Sequence, residues 1–225
     1  MKPLLVLAAF PMVLMGWASC SHSGTGHAAL PDPRAVDKSV PEYKNPFHPS
    51  TYAHFVARKD YRKTYDVYKD DTLLNRQPKK SRKIFVCLDE QRGQYLVDGL
   101  VAMDFPLSSG VKAYPTKTGD YAVISKKEDH TSNLYGKMYD AEGKCINYNA
   151  ESTDPVPEGG RFDGSPMPYW QRLTNAGLGL HVGKVRRHPV SHGCVRLPRN
   201  VAEILYRQTS IGTPVTIRKT PLPVP

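Results

Sequence analysis

Gly179-Leu180-His181-Val182-Gly183, followed by Ser191-His192-Gly193-Cys194-Val195-Arg196-Leu197, decides how this chain is read. The window sets a cysteine, two histidines and an arginine close together, with glycines where backbone must come near a substrate. A thiol is mostly protonated at neutral pH, so a cysteine nucleophile needs a neighbouring base or a positive potential. His181 is the candidate base, reached if a strand ends near it and the following loop folds back on Cys194. His192 competes for the same role, but residues two apart in an extended loop share a side only where the backbone is regular, so His181 is the preferred reading and the exchange of roles stays open. His188 reads as a solvated loop residue. The amides of His192, Gly193 and Cys194 are candidates for holding a developing oxyanion, with Gly193 permitting close approach. Arg196 carries a planar fork suited to a carboxylate, the alternative being a structural ion pair.

These residues resemble the signature of the L,D-transpeptidase catalytic domain, the YkuD-like family of peptidoglycan cross-linking enzymes. The pattern is a histidine, a variable loop, Ser/Thr-His-Gly-Cys, an apolar residue and Arg or Asn, matched here by His181 and by Ser191 to Arg196. The loop from Val182 to Val190 is the one departure, being shorter. Pro115-Thr116-Lys117-Thr118-Gly119-Asp120-Tyr121 resembles the family's entry into a strand, Met167-Pro168-Tyr169-Trp170 its substrate wall and Gly212-Thr213-Pro214-Val215 its last strand. The resemblance implies a mostly β, mixed β-sandwich with a few short helices. It implies that Cys194 attacks the third residue of a stem tetrapeptide through a thioester, that His181 is oriented by the Val182 carbonyl, and that Ser191, Arg196, Tyr169 and Trp170 contact the substrate. Water or a protein amine in place of a second stem peptide would give a carboxypeptidase, a hydrolase or a protein-to-wall ligase. A reading of another class is a metal-binding or non-catalytic wall-binding protein with His181, His188, His192 and Cys194 on zinc, although this spacing fits none of the usual zinc pairs.

With 225 residues, the chain has room for one catalytic domain and appendages. A net charge of +10 and a pI near 9.4 point to anionic partners. Lys and Arg are spread along the chain apart from Lys79-Lys80-Ser81-Arg82-Lys83, and no nucleic-acid motif accompanies them, so carboxylate-rich cell wall is the expected partner and nucleic acid is not. No cofactor or metal is expected, and the protein is expected to be a monomer.

Lys2, an apolar run from Leu4 to Trp17 and the small Ala18-Ser19 before Cys20 read as a signal segment over 1–19, too short to span a bilayer comfortably. It resembles a lipoprotein signal. Cys20 would then be lipidated and anchor the protein to the outer membrane on the periplasmic side of the cell envelope, with simple cleavage and secretion as the alternative. Cys87 and Cys145 form a possible disulfide in an oxidising compartment, or Cys87 is a small buried thiol.

Residues 20–50, rich in Ser, Gly, His and Pro, read as a flexible tether, and 51–81, with Tyr52, Tyr61, Tyr65 and Tyr68, as one or two short helices packed on the main domain. The catalytic domain is expected over 82–219. Strands are expected at 83–88, 94–97 and 100–107, the first two joined by a turn around Gln91-Arg92-Gly93 and the last two by the Asp98-Gly99 turn, with another at 120–125 and a long insertion at 126–166 that carries short hairpins and caps the cleft or is a surface excursion. Pro198 opens a helix running through Thr209 and stopped by Gly212, a strand at 214–217 closes the domain, and 220–225 is a proline-rich tail.

Overall fold

A computed structural model describes residues 31–77 and 81–221 of the chain. The expected signal segment over 1–19, Cys20 and the last four residues lie outside them.

Two short helices and a two-residue strand come first: α1 (Tyr52–Ala57), β1 (Tyr68–Lys69) and α2 (Asp71–Asn75). Each helix is capped by a side chain, Thr51 accepting from the His54 N–H at 3.1 Å and Asp70 from the Leu73 N–H at 3.0 Å. A meander follows, made of β2 (Arg82–Cys87), β3 (Arg92–Val97) and β4 (Leu100–Pro106). Asp98 and Gly99 have φ of 51° and 82°, the two left-handed positions that a two-residue hairpin of type I′ requires. The turn expected at Gln91–Gly93 closes earlier: Gln91 is its left-handed residue, and Arg92 and Gly93 already belong to β3.

The chain continues through β5 (Gly119–Ala122), β6 (Ser125–Lys127), β7 (Thr131–Tyr139), β8 (Cys145–Glu151), β9 (Arg161–Pro166), β10 (Trp170–Arg172), β11 (Gly179–Val182), β12 (Val195–Leu197), α3 (Arg199–Gln208) and β13 (Pro214–Arg218). Among these described residues three sheets form, ordered β1-β4-β3-β2-β13-β5, β12-β11-β10-β6 and β8-β7-β9. The six- and four-stranded sheets share one core with α3, in which Ile84, Val86, Tyr95 and Ile217 meet Leu180, Val195, Leu197, Val201 and Leu205. Val201 and Leu205, on the apolar face of α3, are fully buried, worth roughly 1.5–3 kcal/mol each. The fold is thus mostly β with few short helices.

The reading of 20–50 as a tether is corrected over its described part. Residues 32–50 are tied to the domain: Arg34 grips Glu90, in the turn after β2, with Nη1 at 2.8 and 2.9 Å from the two carboxylate oxygens, the Tyr43 hydroxyl donates to the Ala57 carbonyl of α1 at 2.8 Å, and Phe47 is buried. Three well-placed anchors hold a segment whose mean composition is that of a linker. Tyr52 and Tyr61 serve packing, their hydroxyls donating to the buried Asp104. The disulfide is also corrected. Cys87 and Cys145 are free thiols, the first buried at the end of β2 and donating to the Lys219 carbonyl, the second half-buried in β8 of a different sheet.

Candidate active site

β11 and β12 run parallel with His181 opposite Arg196 and Leu180 opposite Val195. Side chains alternate along a strand, so His181 and Arg196 share a face, and Cys194, two residues before Arg196, falls on the same side as a diagonal neighbour of His181. The pairing therefore brings together two residues separated by a loop. His181, Cys194 and Arg196 line one cavity of about 810 Å³.

The loop before β12 is shaped by its own hydrogen bonds. Ser191, 2 % exposed, donates its hydroxyl to the Cys194 carbonyl at 2.5 Å and accepts from the Gly193 N–H at 3.2 Å. Ser191 thus positions the loop while also lining the cavity, and with its donor spent its hydroxyl could only accept from a ligand. The same bond takes the Gly193 amide from the expected oxyanion donors, leaving those of His192 and Cys194. Gly193 has φ of 111°, a conformation that strains any residue with a side chain.

Electrostatics separate the two reacting groups. The Nδ1 of His181 lies 2.8 Å from the Val182 carbonyl, which can only accept, so Nδ1 carries the proton and Nε2 offers its lone pair. Burial pushes this imidazole down to about 4, helped by the charges of Arg196 and His130 and opposed by the Val182 carbonyl. Burial also pushes the Cys194 thiol up, against a backbone hydrogen bond at Gly179 and the Arg196 charge. At neutral pH the pair is a thiol and a neutral imidazole. The thiol donates to the Gly177 carbonyl at 3.3 Å, and among the described hydrogen bonds none joins it to His181. Such bonds commonly tighten only when substrate arrives.

Arg196 has no carboxylate within 4.0 Å among the described residues, so the structural ion pair is not formed. Its stem packs on Gly183, where a Cβ would lie 2.8 Å from Arg196 Cγ and Cδ. Trp170 lines the cavity with its ring centroid 5.9 Å from that of His181. Tyr169 does not: it has φ of 55° and packs edge-on against Tyr206 of α3 at 5.5 Å, because adjacent residues at a strand start face opposite ways. Its expected place in the substrate wall is corrected. The His192 side chain is exposed and stacks on Tyr135 of β7 at 4.4 Å and beside Tyr114 at 4.7 Å, which removes it from the base role. The zinc set is not assembled either. His188 is exposed, His181 Nδ1 is bonded to backbone, and among the described residues no three His, Cys, Asp or Glu side chains cluster as metal ligands.

Sequence reasoning missed the brace behind the loop. Thr116 Oγ1 accepts from the Gly110 N–H at 2.8 Å and donates to the Gly193 carbonyl at 2.6 Å, and Ser108 pairs its backbone with Arg196 in both directions at 2.8 and 3.1 Å. A Cβ on Gly110 would sit 2.1 Å from the Tyr114 carbonyl and 2.8 Å from Gly193 Cα. The signal available was the Ser108-Ser109-Gly110 run immediately after β4. Gly110→Ala is expected to shift the Cys194 loop, lowering thiol acylation by about 100-fold and stability by about 1–3 kcal/mol. Adduct formation by mass spectrometry and thermal unfolding check both. The insertion reaches the same cavity through His130, Tyr135 and Tyr148, which favours its reading as a cap.

The pattern of the YkuD L,D-transpeptidase catalytic domain matches residues 81–217. The chain is 31 % identical over 121 residues to the probable L,D-transpeptidase 3 of Mycobacterium tuberculosis (strain ATCC 25618 / H37Rv), a match covering 51 % of this chain and 38 % of that protein. It thus spans well under half the length of that relative. Among solved structures it resembles the L,D-transpeptidase from Mycobacterium smegmatis, at 21 % identity and a TM-score of 0.47 over 61 % of this chain and 58 % of the other. The one from Stackebrandtia nassauensis aligns at 23 % identity and a TM-score of 0.44, over 64 % and 58 % of the two chains. With the matched pattern running from the start of the meander to the last strand, and carrying His181 and the Ser191–Arg196 loop inside it, the chain belongs to the L,D-transpeptidase catalytic-domain family.

Proposed function

We propose that this protein is a cysteine-dependent L,D-transpeptidase acting on peptidoglycan stem peptides. A donor tetrapeptide enters the cavity, and the Cys194 sulfur bonds to the carbonyl carbon of the third residue. The thiol proton passes to Nε2 of His181, and from there to the terminal D-alanine amine as the C–N bond breaks, leaving a thioester. The amides of His192 and Cys194 face the oxyanion, and Arg196 holds a donor carboxylate. The side-chain amine of a second stem peptide then attacks the thioester. It loses a proton to His181, which returns that proton to the departing sulfur.

The observation that supports this best is His181 itself. A buried, neutral imidazole with Nδ1 committed to backbone and Nε2 bare is a general base with no other structural task, in the cavity that also holds Cys194. The apolar start of the chain and Cys20 support a lipid anchor at the outer membrane, facing the periplasm. Incubating the protein with tetrapeptide and weighing the products tests the reaction. The expected result is a tripeptidyl adduct on Cys194 and a cross-linked dimer. Tripeptide alone would make water the acceptor, and absence of any adduct would overturn the reading.

A further inference from the structure

Four cations line the cavity, Lys117, Arg172, Lys184 and Arg196, and among its described lining residues there is neither Asp nor Glu. They come from four separate segments: the loop after Thr116, the end of β10, the loop after β11, and β12. None has a carboxylate within 4.0 Å among the described residues. Arg34, Arg58, Arg76, Arg92, Arg161, Arg207 and Arg218, all outside the cavity lining, each have one.

Lys117 and Lys184 are exposed, and a single exposed charge contributes little. Several of one sign around a concave, partly apolar site act together, because low-dielectric walls focus their field on whatever enters. The cavity interior registers that field: after burial, the charges of Lys127 and Arg172 lower the His130 imidazole, and that of Arg196 lowers His181. A ligand here meets more positive charge than one carboxylate neutralises.

We propose that the cleft selects its donor by free carboxyl groups, Lys117, Arg172 and Lys184 acting with Arg196 to favour a polyanionic stem peptide over the same peptide with its side-chain carboxyls amidated. This rests on the transpeptidase reading above. An amide keeps the size of a carboxylate, loses its charge and turns one acceptor oxygen into an NH2 donor, which Lys and Arg cannot receive, so the discrimination is polar and carried by encounter and binding.

The test uses the full protein and two tetrapeptide donors, identical except that the side-chain carboxyls are free in one and amidated in the other. The rate of adduct formation on Cys194 is read as kcat/KM. The free acid is expected to be favoured by about 10-fold at about 50 mM salt and by only about 2- to 3-fold at about 500 mM, where charges are screened. The triple variant Lys117→Gln, Arg172→Gln, Lys184→Gln is expected to show the smaller preference at both. The ratio is taken within each protein, so lost stability does not imitate the result, and the salt series on the unmodified protein stands if the variant fails to fold. Equal rates for the two donors, or a preference indifferent to salt, would overturn the proposal. If neither donor acylates while iodoacetamide still alkylates Cys194, the catalytic reading falls instead, and charge selection is judged by the same ratio measured as dissociation constants.

Discussion

Acylation of Cys194 is expected to slow by about 1000-fold in His181→Ala, within the range of a positioned general base. The pH profile is the sharper measurement. A base with an ordinary histidine pKa would give an acid limb near pH 6.5. His181 is pushed down to about 4 by burial first and by the Arg196 and His130 charges second. Protonation removes the Nε2 lone pair, so the rate should be lost only as pH falls through about 4 and stay level from there to neutrality. The raised thiol places any alkaline rise above the usual cysteine range. On the proposed mechanism the pair moves a proton during attack, with no preformed thiolate and imidazolium. A half-rise near pH 6.5 in the unmodified enzyme, or an alanine variant within a few-fold of it, would refute the role given to His181. Asn at 181 separates the two tasks of the ring: it retains polarity but supplies no base, so it should be as slow as Ala.

What the sequence made legible was whatever a local rule dictates. Asp98-Gly99 specifies a turn by its φ requirement, and the spacing of Val201 and Leu205 specifies a buried helix face. The order of His181, Gly193, Cys194 and Arg196 specifies a site because few other chemistries use that set. Readings failed where the determining contact is distant. Nothing near Arg34 announces Glu90, and nothing near Phe47 announces its burial, so the composition of 32–50 reads as linker. The short hairpins expected in 126–166 form as β7 paired with β8 and β9, but both faces of much of β8 and β9 meet solvent, which erases the alternation that would have marked their bounds. The resemblance of Met167–Trp170 to a substrate wall puts Tyr169 at the cleft, whereas in space its ring packs on Tyr206. A motif locates the site, and the second layer that fixes its geometry is supplied by residues with no motif of their own.

That second layer leads to the largest stability effect expected in the molecule, at Asp104. The carboxylate is fully buried and receives Arg92 Nε, the Tyr52 hydroxyl at 2.7 Å and the Tyr61 hydroxyl at 2.8 Å. Arg92, 1 % exposed, spends its remaining donors on the Thr64 and Asp66 carbonyls at 3.1 and 3.0 Å and lies over the Tyr61 ring, with Cζ 4.9 Å from the centroid. Asp104→Ala strands a guanidinium and two hydroxyls away from water, and a loss of about 3–5 kcal/mol is expected as a lower urea midpoint with unchanged slope. Removing both charges tests the cause. In Arg92→Met with Asp104→Leu no ion is left unpaired, so part of the loss should return, but not all, since Tyr52 and Tyr61 still lack their acceptor. A single substitution costing under about 1 kcal/mol would show that Arg92 is not left as an uncompensated buried charge. The consequence extends to the cleft. Arg92 opens β3 next to Gln91, whose side-chain amide pairs with Ser109 at 2.8 and 2.9 Å, and the Ser109 carbonyl takes the Val190 and Ser191 amides at the entrance to the Cys194 loop. Asp104→Ala should therefore slow acylation at temperatures where the domain is still folded, and the paired substitution should recover rate and stability together, each in part. If stability returned without rate, the loop would be held by Gln91 and Ser109 independently of the buried pair beneath them.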